Sequence, residues 1–302
     1  MKRAARGVQT VELMSGLRRI LVTGAQGNVG REVVRALLAR GVFVRQAVRD
    51  PDARPADLGQ GNELVRFDFH QPETFETALE ACDGLFLLRP PAIAKVKGTL
   101  NRLVTVALER GVQQIVFLSV AGAAKNQLVP HHAVETHLKT SAKGWTILRP
   151  GFFAQNLGDA YQRDILEDDR VYVPAGDGRV AFVHLRDIAE IAAAAFLEPE
   201  RHYQQAYELT GGEALSFQAV AQTLTEALGR TIRYDAAGVL GYLRHLSRRG
   251  LPLAQALVQT ILHVGLRWGQ AQAIDPTLER LLGRRPLTLR EYVRDNARLW
   301  TP

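Results

Sequence analysis

The stretch R-I-L-V-T-G-A-Q-G-N-V-G, residues 19–30, sets the fold expected for the whole chain. It runs from a short apolar segment into three glycines, Gly24, Gly27 and Gly30. Apolar residues at helical spacing follow in residues 29–40. This order predicts a strand, a tight glycine turn and a helix, which together open a βαβ unit.

The same alternation of strand and helix continues as far as residue 150 and then changes. Further short apolar runs alternate with longer helical patterns, which predicts parallel strands joined by helices. These predicted strands lie at residues 42–48, 64–67, 85–88, 112–119 and 145–148. We therefore expect an α/β protein with a doubly wound parallel sheet in residues 17–150. A smaller C-terminal lobe follows in residues 151–302, and the chain can cross back between the two.

The three glycines suit a phosphate-binding turn. Gly24 permits a tight turn, Gly27 lets a pyrophosphate approach the backbone, and Gly30 lets the helix pack closely on the strand. The helix N-terminus adds N–H groups and partial positive charge. The spacing is GxxGxxG rather than GxGxxG, so it matches a variant of the dinucleotide fingerprint. The alternative is a loop that only turns the chain.

The end of the second predicted strand indicates which nicotinamide cofactor would bind. An acidic residue there binds the ribose 2′-hydroxyl of NAD, whereas a basic residue accommodates the 2′-phosphate of NADP. Arg49 is the first residue after the apolar run, and Asp50 follows, held extended by Pro51. Arg49 therefore favours NADP(H) over NAD(H), the alternative being a solvated arginine beside an NAD site. Arg45, inside the strand, is a weaker candidate.

Composition excludes several classes of protein. Of 302 residues, 46% are hydrophobic and 23% charged, which is typical of a globular rather than a disordered chain. No apolar run is long enough to span a membrane, and no apolar segment follows the basic start. The single cysteine, Cys82, leaves no internal disulfide and no multi-cysteine metal site, and we expect it in the core. We expect a cytoplasmic protein whose natural start is Met1 or Met14.

The formal net charge of +7 is concentrated at the two ends of the chain. Residues 240–302 hold ten arginines against four acidic residues, and residues 1–19 hold five basic residues against one acidic residue. A basic end can bind phosphate backbones, but arginines scattered on amphipathic helices more often form a solvated face. Nucleic-acid binding is therefore not favoured. A partner surface, a lipid surface or no role at all remains open for the basic C-terminal region.

Further motifs continue along nearly the whole chain. Besides residues 22–30 and 47–51, they are VFLS (116–119), HHAVE (131–135), TILRPGFFAQN (146–156), VAFVHLRDIA (180–189) and YELTGG (207–212). Together these segments resemble the NmrA-like family of atypical short-chain dehydrogenases/reductases, which includes quinone-reductase-like proteins and redox-sensing regulators. The resemblance implies a Rossmann-type domain with a small C-terminal substrate lobe.

The resemblance also implies where a bound cofactor would lie, along the carboxyl ends of the strands. It assigns the pyrophosphate to Gly24, Gln26, Gly27, Asn28, Val29 and Gly30, and the 2′-phosphate to Arg49. It assigns the adenine to Asp68 and Phe69, and the ribose to Leu88, Arg89 and Pro90. It assigns the border of the nicotinamide to Ser119, Val120, Ala121, Pro150, Gly151 and Phe152. Ser119 alternatively only finishes the fifth strand.

The Tyr-x-x-x-Lys pair of most catalytic short-chain dehydrogenases cannot exist here. All seven tyrosines lie at residue 161 or later, and all six lysines at residue 143 or earlier. At the corresponding point the chain has His131 and Glu135, four residues apart on one helix face, with His132 a less favoured candidate. A histidine of ordinary pKa near ~6.5, oriented by the carboxylate, suits proton donation to a substrate. The alternative is a histidine that bonds locally or contacts the cofactor ribose.

Two functions of different classes follow. The first is an NADPH-dependent reductase acting on a small molecule, a quinone or similar electrophilic carbonyl. The second is a non-catalytic protein that binds NADP(H) and reports the redox state to a regulatory protein partner. Phe153 and Asn156 are the predicted substrate contacts, although Phe152 and Phe153 also fit an interpretation as core aromatics. No metal site is predicted, and the oligomeric state stays open.

Overall fold

The computed structural model describes residues 19–52 and 62–301. The chain divides into two compact units, Met1–Arg149 with Ile188–Tyr207, and Pro150–Asp187 with Glu208–Pro302. The chain thus leaves the first unit after Arg149, returns to it for most of one helix, a second short helix and most of one strand, and leaves again.

Strands and helices alternate along the described part of the chain. The strands are β1 (Arg19–Val22), β2 (Phe43–Val48), β3 (Asn62–Arg66), β4 (Gly84–Leu88), β5 (Gln114–Leu118), β6 (Trp145–Pro150), β7 (Arg170–Val173), β8 (Arg179–Val180), β9 (Gln205–Leu209), β10 (Leu215–Ser216) and β11 (Arg233–Ala236). The helices are α1 (Asn28–Leu38), α2 (Glu73–Leu79), α3 (Leu100–Glu109), α4 (Pro130–Ser141), α5 (Gln162–Asp168), α6 (Leu185–Leu197), α7 (Pro199–His202), α8 (Phe217–Leu228), α9 (Val239–Arg248), α10 (Leu253–Gly265), α11 (Thr277–Leu282) and α12 (Leu289–Asp295). Short 3-10 turns lie at Ala154–Gly158, Leu266–Trp268 and Ala297–Trp300.

A seven-stranded sheet in the order β3-β2-β1-β4-β5-β6-β9 runs through the first unit. The neighbouring strands from β3 across to β6 pair in parallel. This is the strand order of a doubly wound nucleotide-binding fold, so the predicted fold class is confirmed. The order reverses between β1 and β4, and ligands of such sheets bind outside the carboxyl ends of the strands at that point.

Apolar packing on both faces explains why the strands of this sheet read as continuous hydrophobic runs. β5 is buried at every position, and α1 covers the sheet with Val33, Val34 and Leu37. Cys82 lies in a core of this unit, as predicted, together with residues of α2 and α3, and burial raises the pKa of its thiol to about 11. Such a thiol stays protonated at neutral pH.

The second unit contains two small sheets, β7 with β11 in parallel and β8 with β10 antiparallel. Its core is rich in aromatic side chains, among them Tyr161, Phe217, Tyr242 and Trp300. The indole N–H of Trp300 donates to the carbonyl of Leu157 at 3.0 Å, which satisfies its polar atom inside the core.

Three local predictions differ from the structure. The apolar run at residues 180–184 predicts a short strand, but only Arg179–Val180 forms one, while Val183 makes an isolated bridge to Phe153. The helical pattern over residues 95–110 predicts one helix, but α3 begins at Leu100, because a turn precedes it in which the Thr99 hydroxyl donates to the Lys95 carbonyl at 3.0 Å. Strand β11 was not predicted, since its mostly exposed residues lack an apolar alternation. Within the described residues, every helix is too short or too polar to cross a membrane.

Candidate active site

The turn between β1 and α1 has the backbone that its glycines predict. Gly24 adopts a left-handed φ of +65°, which a residue with a side chain rarely adopts. The N–H of Gly27 donates to the carbonyl of Gly24 at 2.9 Å and closes the turn. The Thr23 hydroxyl donates to the carbonyl of Phe86 at 3.0 Å and accepts from the N–H of Leu88 at 2.9 Å. These bonds tie the glycine turn to β4.

The other two glycines differ in how much space a side chain would have. A Cβ on Gly30 would lie 2.1 Å from the carbonyl oxygen of Gly24 and 2.7 Å from Cα of Ala25. A Cβ on Gly27 would lie 3.3 Å from the same oxygen, and Gly27 has an ordinary φ of −80°. Gly30 is thus required for the fold, whereas Gly27 leaves a gap in front of the helix.

The N-terminus of α1 suits an anion. Gly27 is its N-cap and offers no side-chain cap, and its first turn contains no acidic residue. N–H groups of a first helical turn have no partner inside the helix, and the helix dipole favours negative charge there. The cradle that a Cβ would fill therefore fits a dinucleotide pyrophosphate.

Arg49 lies exposed directly after β2. Within residues 19–52 and 62–301 it has no hydrogen bond or ion pair, so its guanidinium can meet a phosphate. The neighbouring Asp50 carboxylate accepts the N–H of Asp52 at 3.0 Å, which turns it into the local loop.

Arg45 is wrong as a phosphate ligand. Its guanidinium is 5% exposed and donates to the carbonyls of Thr77 at 2.9 Å and Glu80 at 2.8 Å. It also pairs with Glu63 at 3.1 Å. Arg45 therefore caps the C-terminal end of α2.

The residues predicted at the adenine and the ribose are only partly available. Asp68 is half-buried after β3, and its carboxylate accepts the N–H of His70 at 2.8 Å. The Phe69 ring is buried in the core of the first unit, edge-to-face on Phe67 at 4.9 Å between centroids. Leu88 packs beside Gly24, and Pro90 is half-buried. A cofactor at this edge would meet the backbone after β3 rather than the Phe69 ring.

Arg89 and His131 form a contact that the sequence did not predict. Arg89 Nε–H donates to His131 Nε2 at 3.2 Å, and Arg89 Nη1 donates to the carbonyls of Pro90, Pro91 and Ile93. Because Nε2 accepts, the ring proton lies on Nδ1, which is buried and has no partner within the described part of the chain. Burial, reinforced by the Arg89 charge, lowers the pKa of His131 to about 4. At neutral pH His131 is an uncharged ring, not the imidazolium that the sequence suggested.

Glu135 is bound by other partners than the predicted His131. Its carboxylate accepts from Ser119 Oγ at 2.6 Å and from Arg149 Nε and Nη2 at 2.9 and 2.6 Å. Lys139 Nζ lies 3.6 Å away. Burial alone would raise the pKa of Glu135, but the hydrogen bonds from Arg149 and Ser119 outweigh it and hold the pKa below its ordinary value. The predicted orientation of His131 by Glu135 is therefore wrong: the carboxylate joins the ends of β5 and β6.

We call the five residues Arg89, Ser119, His131, Glu135 and Arg149 the α4 polar cluster. Sequence reasoning missed Arg149 as a member. A charged residue within the apolar run of β6 was the available signal, because a buried guanidinium requires a buried partner. No comparable signal pointed to the Arg89–His131 contact, which joins residues 42 positions apart.

The other predicted residues of the first unit lie at the same edge of the sheet, after β5. Val120 is half-buried and Ala121 exposed. His132 donates through Nδ1 to the carbonyl of Ala123 at 2.9 Å, which explains it as a local contact.

The remaining predicted residues lie in the second unit. Pro150 is buried and Gly151 is half-buried. The Phe152 ring meets Phe182 and His263 edge-to-face, at 6.2 and 5.5 Å between centroids.

Phe153 lies directly before the 3-10 turn Ala154–Gly158 and Asn156 lies within it, and both residues are half-buried. The predicted substrate contacts of these two residues stay predictions. Deeper in the same unit, Tyr161 hydrogen-bonds His263, whose Nδ1 donates to the carbonyl of Gln259 at 2.7 Å.

The model of the NmrA-like family matches residues 17–293. The chain belongs to the NmrA-like family. This NmrA-like chain is 31% identical over 283 residues to an NAD(P)H azoreductase from Xenophilus azovorans, covering 92% of this chain and 98% of the relative.

Two solved structures resemble the NmrA-like chain along their whole length. The NADPH complex of the quinone oxidoreductase QOR2 from Escherichia coli has a TM-score of 0.80 and 27% identity, covering 91% of this chain and 99% of that one. The NADP(H) complex of triphenylmethane reductase from Citrobacter sp. has a TM-score of 0.81 and 25% identity, with the same coverage.

Proposed function

We propose that this protein transfers a hydride from NADPH to a quinone or a similar electrophilic carbonyl compound, without a tyrosine–lysine pair. The protein is an NAD(P)H-dependent oxidoreductase of the NmrA-like family. The observation that carries the proposal is the glycine turn, because a Cβ would fill the space in front of α1 that a pyrophosphate needs. The azoreductase and the quinone oxidoreductase among its relatives support the substrate class.

The residues of the first unit divide the binding between them. The N-terminus of α1 holds the pyrophosphate through the backbone after Gly27, and Arg49 binds the 2′-phosphate through its guanidinium. Asp68, Leu88 and Pro90 border the adenosine half. NADPH supplies the hydride when it is bound.

The proton is the second requirement of the reaction. A quinone that accepts a hydride gains two electrons and becomes a hydroquinone anion, which water can protonate. A stable anion of this kind does not need a dedicated acid, so the neutral state of His131 is compatible with turnover. We assign His131 to positioning: it accepts from Arg89 and so fixes the turn after β4.

The redox-sensor function remains the second candidate. The observation in its favour is the α4 polar cluster itself, where the histidine is uncharged and the carboxylate is fully engaged. In this alternative the protein would bind NADP(H) and pass on its redox state without turnover.

A single assay series separates the two functions. NADPH oxidation is followed with a panel of quinones, aldehydes and azo compounds, using the wild type and Gly27→Val. Turnover is expected with at least one quinone in the wild type. Gly27→Val should lose both turnover and NADPH binding. Gly98→Ala is the matched control, because a Cβ there meets nothing within 4 Å. Tight NADPH binding without any accelerated oxidation would refute the reductase and favour the sensor.

A further inference from the structure

The hairpin of α9 and α10 in the second unit exposes an apolar face. The inner sides of both helices enter one core, through Tyr242 and Leu246 of α9 and Ala256 of α10. The outer side of α10 carries apolar residues where a surface helix normally carries charges. They are Leu253, Leu257, Val258, Ile261 and Leu262, joined by Val239 and Leu240 of α9 and by Trp268 just beyond α10.

The exposure of this face is large at single residues. Leu240 is 79% exposed, Ile261 68% and Trp268 74%. Helix α10 contains no charged residue, and Gln255 is its only exposed polar side chain among glutamine, threonine and histidine residues. Contiguous exposed apolar surface of this kind marks an interaction site rather than ordinary solvent contact.

The stretch of chain that carries this face has charged residues of one sign. From residue 236 to residue 274 the chain contains four arginines and no aspartate or glutamate. Arg244 and Arg248 are exposed on α9 and, within the described ranges, have no carboxylate partner. Arg267 donates to the carbonyls of Pro174 and Ala237, so its positive charge is not neutralised either. Arg249 is paired with Asp164, Glu167 and Asp168.

We propose that the α9–α10 face docks this protein on the surface of an anionic phospholipid membrane. Leucine, isoleucine and tryptophan side chains enter the boundary between headgroups and acyl chains, and the arginines meet lipid phosphates. A second copy of the chain fits this face less well. A two-fold contact through this face would place Arg244 and Arg248 of both copies in one interface, and neither α9 nor α10 carries a carboxylate to neutralise them. The inference does not depend on the proposed reductase activity.

Vesicle flotation tests the docking directly. The purified full chain is mixed with vesicles of phosphatidylcholine containing phosphatidylglycerol, or with phosphatidylcholine vesicles alone. Binding to the anionic vesicles, weakened by added salt, is the expected result. A chain that does not float with the anionic vesicles would overturn the proposal.

Variants then assign the contact to this face. Leu253→Glu with Ile261→Glu places two charges on exposed positions and should weaken vesicle binding by at least about tenfold. Arg244→Gln and Arg248→Gln should each weaken binding to anionic vesicles about fivefold, the equivalent of about 1 kcal/mol per arginine. Leu128→Glu, at an exposed leucine in the first unit, is the matched control and should bind like the wild type. Unchanged melting temperature and NADPH affinity confirm that each variant is folded.

Sedimentation velocity measures the competing occupant. A concentration-dependent dimer that the Leu253→Glu, Ile261→Glu variant abolishes, in a protein that binds no vesicles, would assign the face to a second copy and overturn the proposal. Vesicle binding that survives this double substitution would also overturn it.

Discussion

The glycine turn after β1 and the α4 polar cluster lie in the same unit but are stabilised by different means. The turn is shaped by the backbone: one left-handed glycine, one close approach and one helix N-terminus. The cluster is shaped by charged side chains that reach one another from β6, from α4 and from the ends of β4 and β5. The turn therefore depends on the absence of side chains, and the cluster on hydrogen bonds and ion pairs between side chains.

This difference sets how each region responds to substitution. At Gly30 of the turn, one added carbon collides with backbone atoms of Gly24 and Ala25. In the cluster, removing one partner leaves a buried charge or donor unsatisfied. The following variants test these two responses.

The largest effect is expected where a partner is removed from the cluster. Arg149→Met leaves the carboxylate of Glu135, which is 2% exposed, without its two guanidinium hydrogen bonds. Breaking a buried ion pair in this way costs about 3–5 kcal/mol of unfolding free energy. Urea denaturation at neutral pH measures it.

The matched double variant is Arg149→Met with Glu135→Gln, which removes the charge as well and should recover much of the loss. Because the folded pKa of Glu135 lies below its ordinary value of 4.5, the pair stabilises the fold above about that pH and loses its effect as the pH falls through the folded pKa. If Arg149→Met alone is as stable as the wild type, the Arg149–Glu135 ion pair is not buried in solution.

The turn should respond to a single methyl group. Gly30→Ala places a Cβ within 2.1 Å of the Gly24 carbonyl oxygen, and helix and strand must separate to admit it. We expect a loss of at least about 3 kcal/mol, the upper part of the range for overpacking, because no flexible side chain can yield. Gly98→Ala, with open space around its Cβ, should stay within about 0.5 kcal/mol of the wild type. Equal stability of the two variants would contradict the close packing of α1 on β1.

The same contrast explains how much the sequence predicts. The constraints on Gly24 and Gly30 arise within a few residues of chain, so spacing alone located the turn. The parallel strands could also be predicted from the sequence, because burial on both faces of the sheet requires long apolar runs such as β5. The partners of His131 and Glu135 come from distant strands, and helical spacing suggested only that the two would meet each other. In the structure Arg89 and Arg149 take those places.

Cofactor preference extends the comparison to a side chain beside the turn. Arg49→Ala should lower NADPH affinity about ten- to a hundredfold, since one charge-assisted contact to phosphate contributes roughly 1.5–3 kcal/mol. NADH affinity should change little, because it has no 2′-phosphate. Titration calorimetry with both cofactors measures the difference. Arg40→Ala, at the opposite end of α1, is the control. A wild type that binds both cofactors equally would remove Arg49 from the site.

The uncharged state of His131 gives the smallest effect, and its pH dependence identifies it. The pKa of the folded ring is about 4 and its ordinary value is 6.5, so above pH 6.5 the ring is neutral in both the folded and the unfolded chain. Between pH 4 and pH 6.5 the ring binds a proton in the unfolded chain but not in the folded chain, so the free energy of unfolding falls as the pH falls. By linkage the wild type should lose about 2 kcal/mol at pH 5 through this residue.

His131→Phe removes that contribution, so the loss of unfolding free energy between pH 7 and pH 5, measured by urea denaturation, should be smaller in the variant by this amount. The comparison of each protein with itself at two pH values cancels the packing change, and the difference between the two proteins cancels the contribution of the other buried histidines. In the enzyme assay, a neutral His131 predicts no fall of kcat as the pH rises through about 6.5. A fall there that His131→Phe abolishes would restore the histidine as the proton donor, because only a ring that is charged below that pH and in contact with the substrate could produce it.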